Sequence, residues 1–302
     1  DTRDQIDAEM SPLLAAHADA ILLDRGLYDR LRALADRSAA GEVELDPQSA
    51  HLLQERLRDY ERGGIHLEAA DQDRLRELNA ELATLETRFG QLVVAGRNAA
   101  AVHVTDEAAL DGLSEEQRDA ARAAARSAGE EGWLLTLTNT SVQPILASLH
   151  HRPTRERVHR ASVGRGLGGE HDTRETLLRM ARLRQERAQL LGYPHHAAYV
   201  AEDGCAGSTP AVDELLDRLA PGVMENAQRE AASLAARFAE IAPGETFEAW
   251  DWHYVAEIVR AEQLTVDQSL LRSYLEFDRV LHDGVFAAAT GLYGITFRER
   301  ED

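Results

Sequence analysis

Hydrophobic residues recur every three or four positions along most of the chain, which is the spacing of one face of an α-helix. Asp46 and Pro47 form a helix start signal, and Gly63 and Gly64 form the matching stop signal. A longer helix is predicted over residues 71–98. Its apolar face carries Leu75, Leu78, Leu82, Leu85 and Phe89. The pattern therefore predicts an all-α fold, or nearly so.

Two more helices carry their own start signals. Ser114 and Gln117 have the spacing of a capping box, and the helix that they open should end at Gly129. Thr209 and Pro210 open another long helix, and Pro221 should kink it because proline removes one backbone hydrogen bond.

Only two segments have the residue types of strands, "AVHVT" at 101–105 and "WLLTLT" at 133–138. They flank the helix that Ser114 opens, so we expect them to pair as a small β ribbon. Pro243 and Gly244 interrupt the helical pattern further on and mark the best candidate hinge. We therefore expect a helical scaffold over residues 1–242 and a second helical segment over residues 243–302.

Charge and composition narrow the range of partners. The 302 residues include 33 basic and 53 acidic side chains, and the formal net charge of −20 repels phosphate backbones and anionic lipid surfaces. No apolar run approaches the roughly 18 residues that a membrane span needs. We expect a cytoplasmic protein with no nucleic-acid partner and no membrane partner.

Two residue counts exclude further chemistries. Every basic residue is arginine, so neither a Schiff-base lysine nor a P-loop lysine is available. Cys205 is the only cysteine, which excludes an internal disulfide and a thiolate metal cluster. It lies in the polar stretch "DGCAGSTP", and we interpret it as an incidental thiol.

The stretch "GRGLGGEHDTRE" at 164–175 contains the G-x-G-x-x-G spacing of a dinucleotide-binding loop. That fingerprint needs an apolar strand before the first glycine, whereas the preceding "TRERVHRASV" is arginine-rich and helical in pattern. Asp172 and Glu175 then have the spacing of a capping box. We therefore interpret Gly164, Gly166 and Gly169 as parts of a loop between two helices.

The histidines offer little metal chemistry. The adjacent pairs His150–His151 and His195–His196 would point about 100° apart on a helix, which prevents chelation of one ion. We therefore expect them to be surface or loop histidines. Asp278 and His282, with Asp283 beside them, share a helix face, and we interpret them as a helix-stabilising contact.

Glu156 and His159 have the spacing found in each half of a di-iron bundle site, but the sequence has no second copy. Because Arg155, Arg157 and Arg160 accompany them, we interpret this segment as a solvated helix face.

The segment "FEAWDWHYVAEIVR" at 247–260 brings Trp250, Trp252 and Tyr254 together, and helix packing is favoured over a ligand groove. The sequence contains no H-E-x-x-H motif, no reversed form of it and no nucleophile elbow. The residues alone therefore assign no catalytic, cofactor-binding or metal-binding position.

Five collinear stretches together resemble one protein family. They are "IDAEMSPLLAAHADAILLDRGLYDRL", "EGWLLTLTNTSVQPILASLHHRPTRERVHRAS", "GGEHDTRETLLRMARLRQERAQLLGYPHHAAYV", "WDWHYVAEIVR" and "LRSYLEFDRVLHDGVFAAATGLYGITF". They resemble the thimet-oligopeptidase-like zinc metallopeptidases, and in particular the bacterial peptidyl-dipeptidase branch. The resemblance extends over essentially the whole chain.

The resemblance implies an almost wholly helical fold, in which two lobes enclose a channel for short peptides and these residues form part of one channel wall. It also implies a zinc ion held by the two histidines of an H-E-x-x-H helix and a downstream glutamate. All of those residues lie carboxy-terminal to the matched region, so no catalytic residue can be carried over. The implied partners are short peptides and the missing catalytic domain.

The resemblance favours the non-catalytic portion of a zinc-dependent peptidyl-dipeptidase, whose intact form releases C-terminal dipeptides. The 302 residues by themselves are expected to be inactive. Two alternatives remain open. One is a naturally truncated relative that serves as a peptide-binding or interaction scaffold, and the other is a half-enzyme completed by a separate chain.

Overall fold

A computed structural model describes residues 2–138, 141–263 and 274–300. Helices dominate these residues, as the hydrophobic pattern predicts. The first elements are α1 (Thr2–Leu22), α2 (Arg25–Ala39), α3 (Pro47–Arg62), α4 (Ala69–Ala99), β1 (Val102–Val104), α5 (Glu115–Ser127) and β2 (Trp133–Leu135). The next are α6 (Val142–Ser148), α7 (Arg152–Val163), α8 (Arg174–Leu190), α9 (His196–Glu202), α10 (Thr209–Ile241) and α11 (Trp252–Gln263).

Shorter helical pieces complete the description. Three 3-10 turns lie at Glu107–Leu110, Gly169–His171 and Ala249–Asp251. The last helical segment, α12, spans residues 277–293 and is made of Phe277–Arg279, a π-helix at Val280–Phe286 and Ala287–Tyr293.

Two predicted helix starts are confirmed by their capping hydrogen bonds. The Asp46 carboxylate accepts hydrogen bonds from the backbone N–H groups of Gln48 and Ser49, at 2.9 and 3.0 Å. At the start of α5, the Ser114 hydroxyl accepts from the Gln117 N–H, and the Gln117 side chain accepts from the Ser114 N–H. These bonds satisfy donors that a helix leaves free in its first turn.

The predicted capping box between Asp172 and Glu175 is wrong. Thr173 occupies the N-cap of α8 and makes no side-chain capping bond. Asp172 instead accepts hydrogen bonds from the Gly168 and Arg174 N–H groups, at 3.0 and 2.9 Å. Its carboxylate also pairs with the Arg174 guanidinium. The predicted helix start at this place is confirmed, since α8 begins at Arg174.

The predicted β ribbon is confirmed. β1 and β2 pair antiparallel, with Val102 opposite Leu135 and Val104 opposite Trp133. The largest hydrophobic cluster of the described residues surrounds this ribbon, and α5, α6 and α7 supply its other walls. Leu110, Leu149 and Val158 are completely buried there.

Three smaller clusters join pairs of helices. Leu78 and Leu82 of α4 pack against Met180 and Leu183 of α8, which confirms the apolar face predicted for the long helix. Tyr28, Tyr60 and Ile65 join α2 to the end of α3. Leu234, Phe238 and Val255 join α10 to α11.

The last of these clusters lies across the boundary at 242/243 that the sequence suggests. α10 continues past Pro221 to Ile241 as one element, and Pro243 and Gly244 lie between α10 and α11. The division of the chain at this point stays a prediction.

α1 packs against α4 with its polar and small residues. Thr87 of α4 donates a hydrogen bond of 2.8 Å to the Ser11 hydroxyl, and Asn79 donates one of 2.8 Å to Asp19. Most of the large apolar residues of α1 are exposed instead, although Leu22 at its end lies beside Leu75 and Leu82 of α4. None of the helices in the described ranges has the length and hydropathy needed to cross a membrane.

Candidate functional site

The most deeply buried charges of the described residues join α7 to the start of α11. Arg155 is 2% exposed and Asp251 is 0% exposed. The Arg155 Nη2 donates to the Asp251 Oδ1 at 2.9 Å, and the Arg152 Nη2 donates to the Oδ2 at 2.8 Å. The expectation of a solvated arginine face on α7 is therefore wrong for Arg155.

The local structure explains this position. Thr154, Arg155 and Val158 share the buried face of α7, because residues three and four apart lie on one side of a helix. The 3-10 turn Ala249–Asp251 holds Asp251, whose carboxylate also accepts the Glu248 N–H at 3.1 Å. Sequence reasoning missed this pair because the two residues are 96 positions apart.

Electrostatics keep the cluster charged. Burial raises the pKa of Asp251, but the hydrogen bonds from Arg152 and Arg155 outweigh it and hold the pKa below its usual value. A buried carboxylate with two guanidinium partners thus remains ionised. Arg155 also donates to the carbonyl oxygens of Leu149 and His150, at 2.8 and 2.9 Å.

Aromatic rings surround the same cluster. The Arg155 guanidinium lies 4.0 Å from the Tyr254 ring centroid, and the Arg160 guanidinium lies 5.0 Å from that of Trp250. Trp252 packs against the α10–α11 cluster. The packing role predicted for these aromatic residues is therefore confirmed. The whole arrangement joins α7 to α11.

The histidines beside this cluster make structural contacts. His150 lies edge-on to Tyr254, with 5.9 Å between centroids, and its Nδ1 is 3.3 Å from the Asp111 carboxylate. His151 is the N-cap of α7, and its Nδ1 lies 2.8 Å from the Thr154 hydroxyl. Both positions agree with the interpretation as loop histidines.

Glu156 and His159 do not act together. Glu156 accepts a hydrogen bond of 2.8 Å from Arg160, whereas His159 lies edge-on to Trp250. His253 of α11 is close enough to be affected by His159. Burial, helped by the charge of His159, lowers the pKa of His253 below its ordinary value, so the neutral form is favoured.

The remaining candidate residues are also separated. His195 is the N-cap of α9 and accepts the Ala198 N–H, whereas His196 stacks on Tyr199. The His282 Nδ1 lies 2.9 Å from the Asp278 carbonyl oxygen, so the predicted contact involves the backbone and not the carboxylate. Cys205 is exposed and free.

The glycine-rich stretch is the loop between α7 and α8 that the sequence predicts. Gly164 is the C-cap of α7. Gly166 has φ of +72°, and a Cβ there would lie 2.8 Å from the Thr173 hydroxyl. Thr173 in turn donates to the Gly166 carbonyl at 3.2 Å. The positive φ of Gly166 therefore allows a close contact with Thr173 within the loop.

Possible metal ligands of the described part of the chain lie in residues 2–138, 141–263 and 274–300. In these ranges no three His, Cys, Asp or Glu side chains are grouped so that they could hold a metal ion. The H-E-x-x-H donors that the resemblance implies do not occur in the sequence. The described residues therefore do not fit a zinc site.

Among the described residues, large apolar side chains are exposed in groups on α1, on α10 and around α12. On α1 they are Ile6, Met10, Leu13, Leu14 and Ile21, which are 42–61% exposed. On α10 they are Leu215, Leu216, Leu219, Val223 and Met224. In and around α12 they are Tyr274, Leu275, Phe277, Val280, Val285, Leu292, Tyr293, Ile295 and Phe297. The α1 residues follow helical spacing, so they form one continuous stripe.

Comparison with known proteins assigns these helices to a class of protein, the metallopeptidases. The model for peptidase family M3 matches residues 145–302, and the chain belongs to this family. The dipeptidyl carboxypeptidase of Escherichia coli (strain K12) is 34% identical over 304 residues, and that of Salmonella typhimurium is 36% identical over 305 residues. Each alignment covers all of this chain and 44% of the relative.

A second group of relatives carries another name. The oligopeptidase A of Salmonella typhimurium is 29% identical over 297 residues, covering 96% of this chain and 43% of the relative. The chain thus spans less than half the length of the curated relatives that it matches. The resemblance read from the sequence is confirmed at the level of the family.

Proposed function

We propose that this chain is the non-catalytic helical portion of a zinc-dependent peptidyl-dipeptidase in the cytoplasm. The intact enzyme hydrolyses short peptides and releases their C-terminal dipeptides. The observation that carries the proposal is the alignment of the whole chain with 44% of two dipeptidyl carboxypeptidases. Because these residues do not fit a zinc site, the zinc and its ligands belong to the remainder of the polypeptide.

The apolar stripe on α1 supports this proposal. A stripe of this kind on a soluble helix normally faces a core, and exposed apolar patches mark contact surfaces. The occupant that we propose is the remainder of the same peptidase polypeptide, since the relatives extend well beyond the aligned region. In this arrangement the described helices form part of the wall that encloses the peptide.

The first experiment measures the intact mass and zinc content of the protein purified from its natural source, together with its activity. A mass well above that of 302 residues, about one zinc per chain and release of dipeptides are expected. The substrate is an N-acylated short peptide with a free carboxyl end. The same peptide with an amidated end is the control, because a peptidyl-dipeptidase needs the free carboxylate. Zinc-dependent dipeptide release by a verified 302-residue chain would contradict the inactivity proposed for these residues.

A second experiment tests the α1 surface. In the 302-residue chain, Ile6→Ser, Leu13→Ser and Ile21→Ser together should leave the free energy of unfolding unchanged within about 0.5 kcal/mol. In the intact enzyme the same changes should lower stability by several kcal/mol, because the stripe is then buried. Glu9→Ser on the same helix is the control and should be neutral in both proteins. If the triple variant loses the same stability in both proteins, the remainder of the intact enzyme does not cover the stripe.

The alternative function is a naturally truncated scaffold that binds peptides or other proteins without catalysis. The exposed apolar surfaces also favour this reading, since they are available for association. A stop codon after Asp302 in the natural gene, with self-association in sedimentation experiments, would support it. An open reading frame that continues into an H-E-x-x-H segment would exclude it.

A further inference from the structure

One face of α10 is buried at one end of the helix and exposed at the other. Leu234 and Phe238 form the buried end, where they pack against Val255 of α11. Val223 and Leu216 lie about three and five helical turns before Leu234, so they are on the same face. They are 62% and 56% exposed. The interface between α10 and α11 therefore continues, without a cover, towards the start of α10.

We define the α10 stripe as the exposed residues Leu216, Leu219 and Val223 of this face. All residues from 213 to 230 are exposed. α11 has only 12 residues and is about 18 Å long, whereas α10 is about 50 Å long. Covering the stripe therefore requires a further element after α11.

α12 follows α11 in the chain and carries an exposed apolar face of its own. Four large side chains form it and are 40–76% exposed, namely Phe277, Val280, Val285 and Leu292. Val280 and Val285 are five residues apart within the π-helix, whose repeat places such residues on one side. A different side of α12 is occupied within the segment, where Phe286 stacks on Phe297 with 4.1 Å between ring centroids.

The connection between α11 and α12 is long enough for the two faces to meet. Glu262, near the end of α11, forms an ion pair with Arg237 of α10. Residues 264–276 can span at most about 45 Å. Leu216 lies only about 32 Å along α10 from Arg237, and α12 is about 25 Å long. Each residue of the α10 stripe is therefore within reach of α12.

Attachment to the same chain favours α12 over a second copy as the occupant. A short linker holds the attached segment at an effective concentration in the millimolar range, whereas a second copy is present at the concentration of the protein. At micromolar protein concentrations the α10 stripe therefore meets α12 first.

Charge gives neither face an attraction for the other. Asp213 and Asp217 lie beside the α10 stripe, and Asp278 and Asp283 lie beside the apolar face of α12. A contact between the two faces is therefore apolar, and added salt screens the repulsion between its acidic edges.

We propose that α12 packs against the α10 stripe, so that α10, α11 and α12 form one three-helix unit. Val280 and Val285 cover the stripe, and the apolar face of α10 is then buried along most of its length. The contact is internal to this chain and does not depend on the peptidase activity proposed above.

Hydrogen exchange measured by mass spectrometry on the full 302-residue chain tests this proposal. An isolated helix as short as α12 is marginal in water, so slow exchange over residues 277–293 reports docking. Leu216→Gln and Val223→Gln together should speed this exchange at least about tenfold. Both side chains are more than half exposed, so the change leaves the other packing intact. Added NaCl, at about 0.5 M, should not reduce the protection of α12 in the unaltered chain.

The matched control carries two glutamines on the other side of α10. Glu214 and Arg218 lie two positions on either side of Leu216, about 160° around the helix. Glu214→Gln with Arg218→Gln should leave the exchange of α12 unchanged. The reciprocal variant Val285→Gln should speed exchange over residues 213–230.

Sedimentation of the same samples separates α12 from the other possible occupants. Protection of α12 in a monomer, independent of protein concentration, is expected. Protection that appears only with self-association would assign the stripe to a second copy and overturn the proposal. Fast exchange of α12 in the unaltered chain, or equal exchange in the stripe variant and its control, would also overturn it. No peptidase assay is involved, so failure of this contact is distinguishable from failure of the proposed function.

Discussion

The Arg155 guanidinium and the Asp251 carboxylate lie 2.9 Å apart, almost completely out of contact with solvent, and bridge α7 and the start of α11. Arg152 binds the second oxygen of the same carboxylate. The pair therefore fixes the position of α11 relative to the β ribbon core, to which Val158 of α7 belongs.

Loss of either partner should be strongly destabilising. Arg155→Met or Asp251→Asn leaves the remaining charge buried and short of a partner, which should cost about 3–5 kcal/mol of unfolding free energy. Urea unfolding followed by circular dichroism measures this. Arg56→Ala is the control, since it removes only an exposed pair with Asp59 and should cost less than about 1 kcal/mol. If both partner variants unfold like the control, the pair contributes nothing.

Arg62 should stabilise the contact between α3 and α9. Its guanidinium lies 4.5 Å from the Tyr199 ring centroid, donates to the Tyr199 carbonyl at 2.7 Å and binds Glu202. Arg62→Ala should therefore cost roughly 2–3 kcal/mol. Arg62→Lys should recover only part of this, because lysine lacks the planar, multiply donating group.

Variants of Tyr199 separate the cation–π contact of Arg62 from its hydrogen bonds and its ion pair. Tyr199→Leu should cost about 1 kcal/mol through loss of the cation–π contact, whereas Tyr199→Phe keeps the ring and should be near neutral. Thermal unfolding of both variants decides this. Equal melting temperatures for Leu and Phe at this position would show that the ring contact is energetically silent.

Gly112 should not tolerate a side chain. Its φ is +92°, and an added Cβ would lie 2.2 Å from the Ser148 carbonyl oxygen and 2.6 Å from the His150 nitrogen. Gly112→Ala should therefore cost roughly 3 kcal/mol or more, from both overpacking and an unfavourable backbone conformation. Gly129→Ala is the matched control, because its φ is +76° and nothing lies within 4 Å of the new Cβ. That change should cost only about 1–2 kcal/mol. Similar losses of stability at the two positions would contradict the close approach of Gly112 to the backbone of Ser148 and His150.

Acid should weaken the packing around His253. Burial and His159 lower the pKa of His253 in the folded protein below the ordinary value of about 6.5. The unfolded chain therefore binds the proton more readily than the folded protein. The contribution of neutral His253 to the unfolding free energy is present above pH 6.5 and is lost as the pH falls through 6.5 towards the lowered pKa. The unfolding free energy, measured from pH 7 to pH 5, should fall less steeply in His253→Asn. Parallel curves for the two proteins would refute this.

Local signals determined which helices form and where several of them begin. The caps at Asp46 and Ser114 follow from residues within three positions of one another, whose hydrogen bonds close over short chain distances. The two strands of the β ribbon are recognisable from their own residue types, although they pair across about 30 positions. The collinear resemblance placed the chain in its family before any contact was known. Even so, one local signal was only partly right, because Asp172 accepts the N–H of Arg174 at the start of α8 but forms no capping box with Glu175.

Only the tertiary structure decided where the charges and the apolar faces lie. Arg155 looks like a surface residue in its own segment, and it is buried because Asp251 meets it from 96 positions away. Asp19 and Arg187 reach one cavity from different helices, and α1 turns its polar side towards α4. The sequence by itself determined the helices and the family through short-range periodicity and collinear pattern. The fold alone determined the buried pair, the cavity and the exposed stripe, because each depends on which surfaces of distant helices meet.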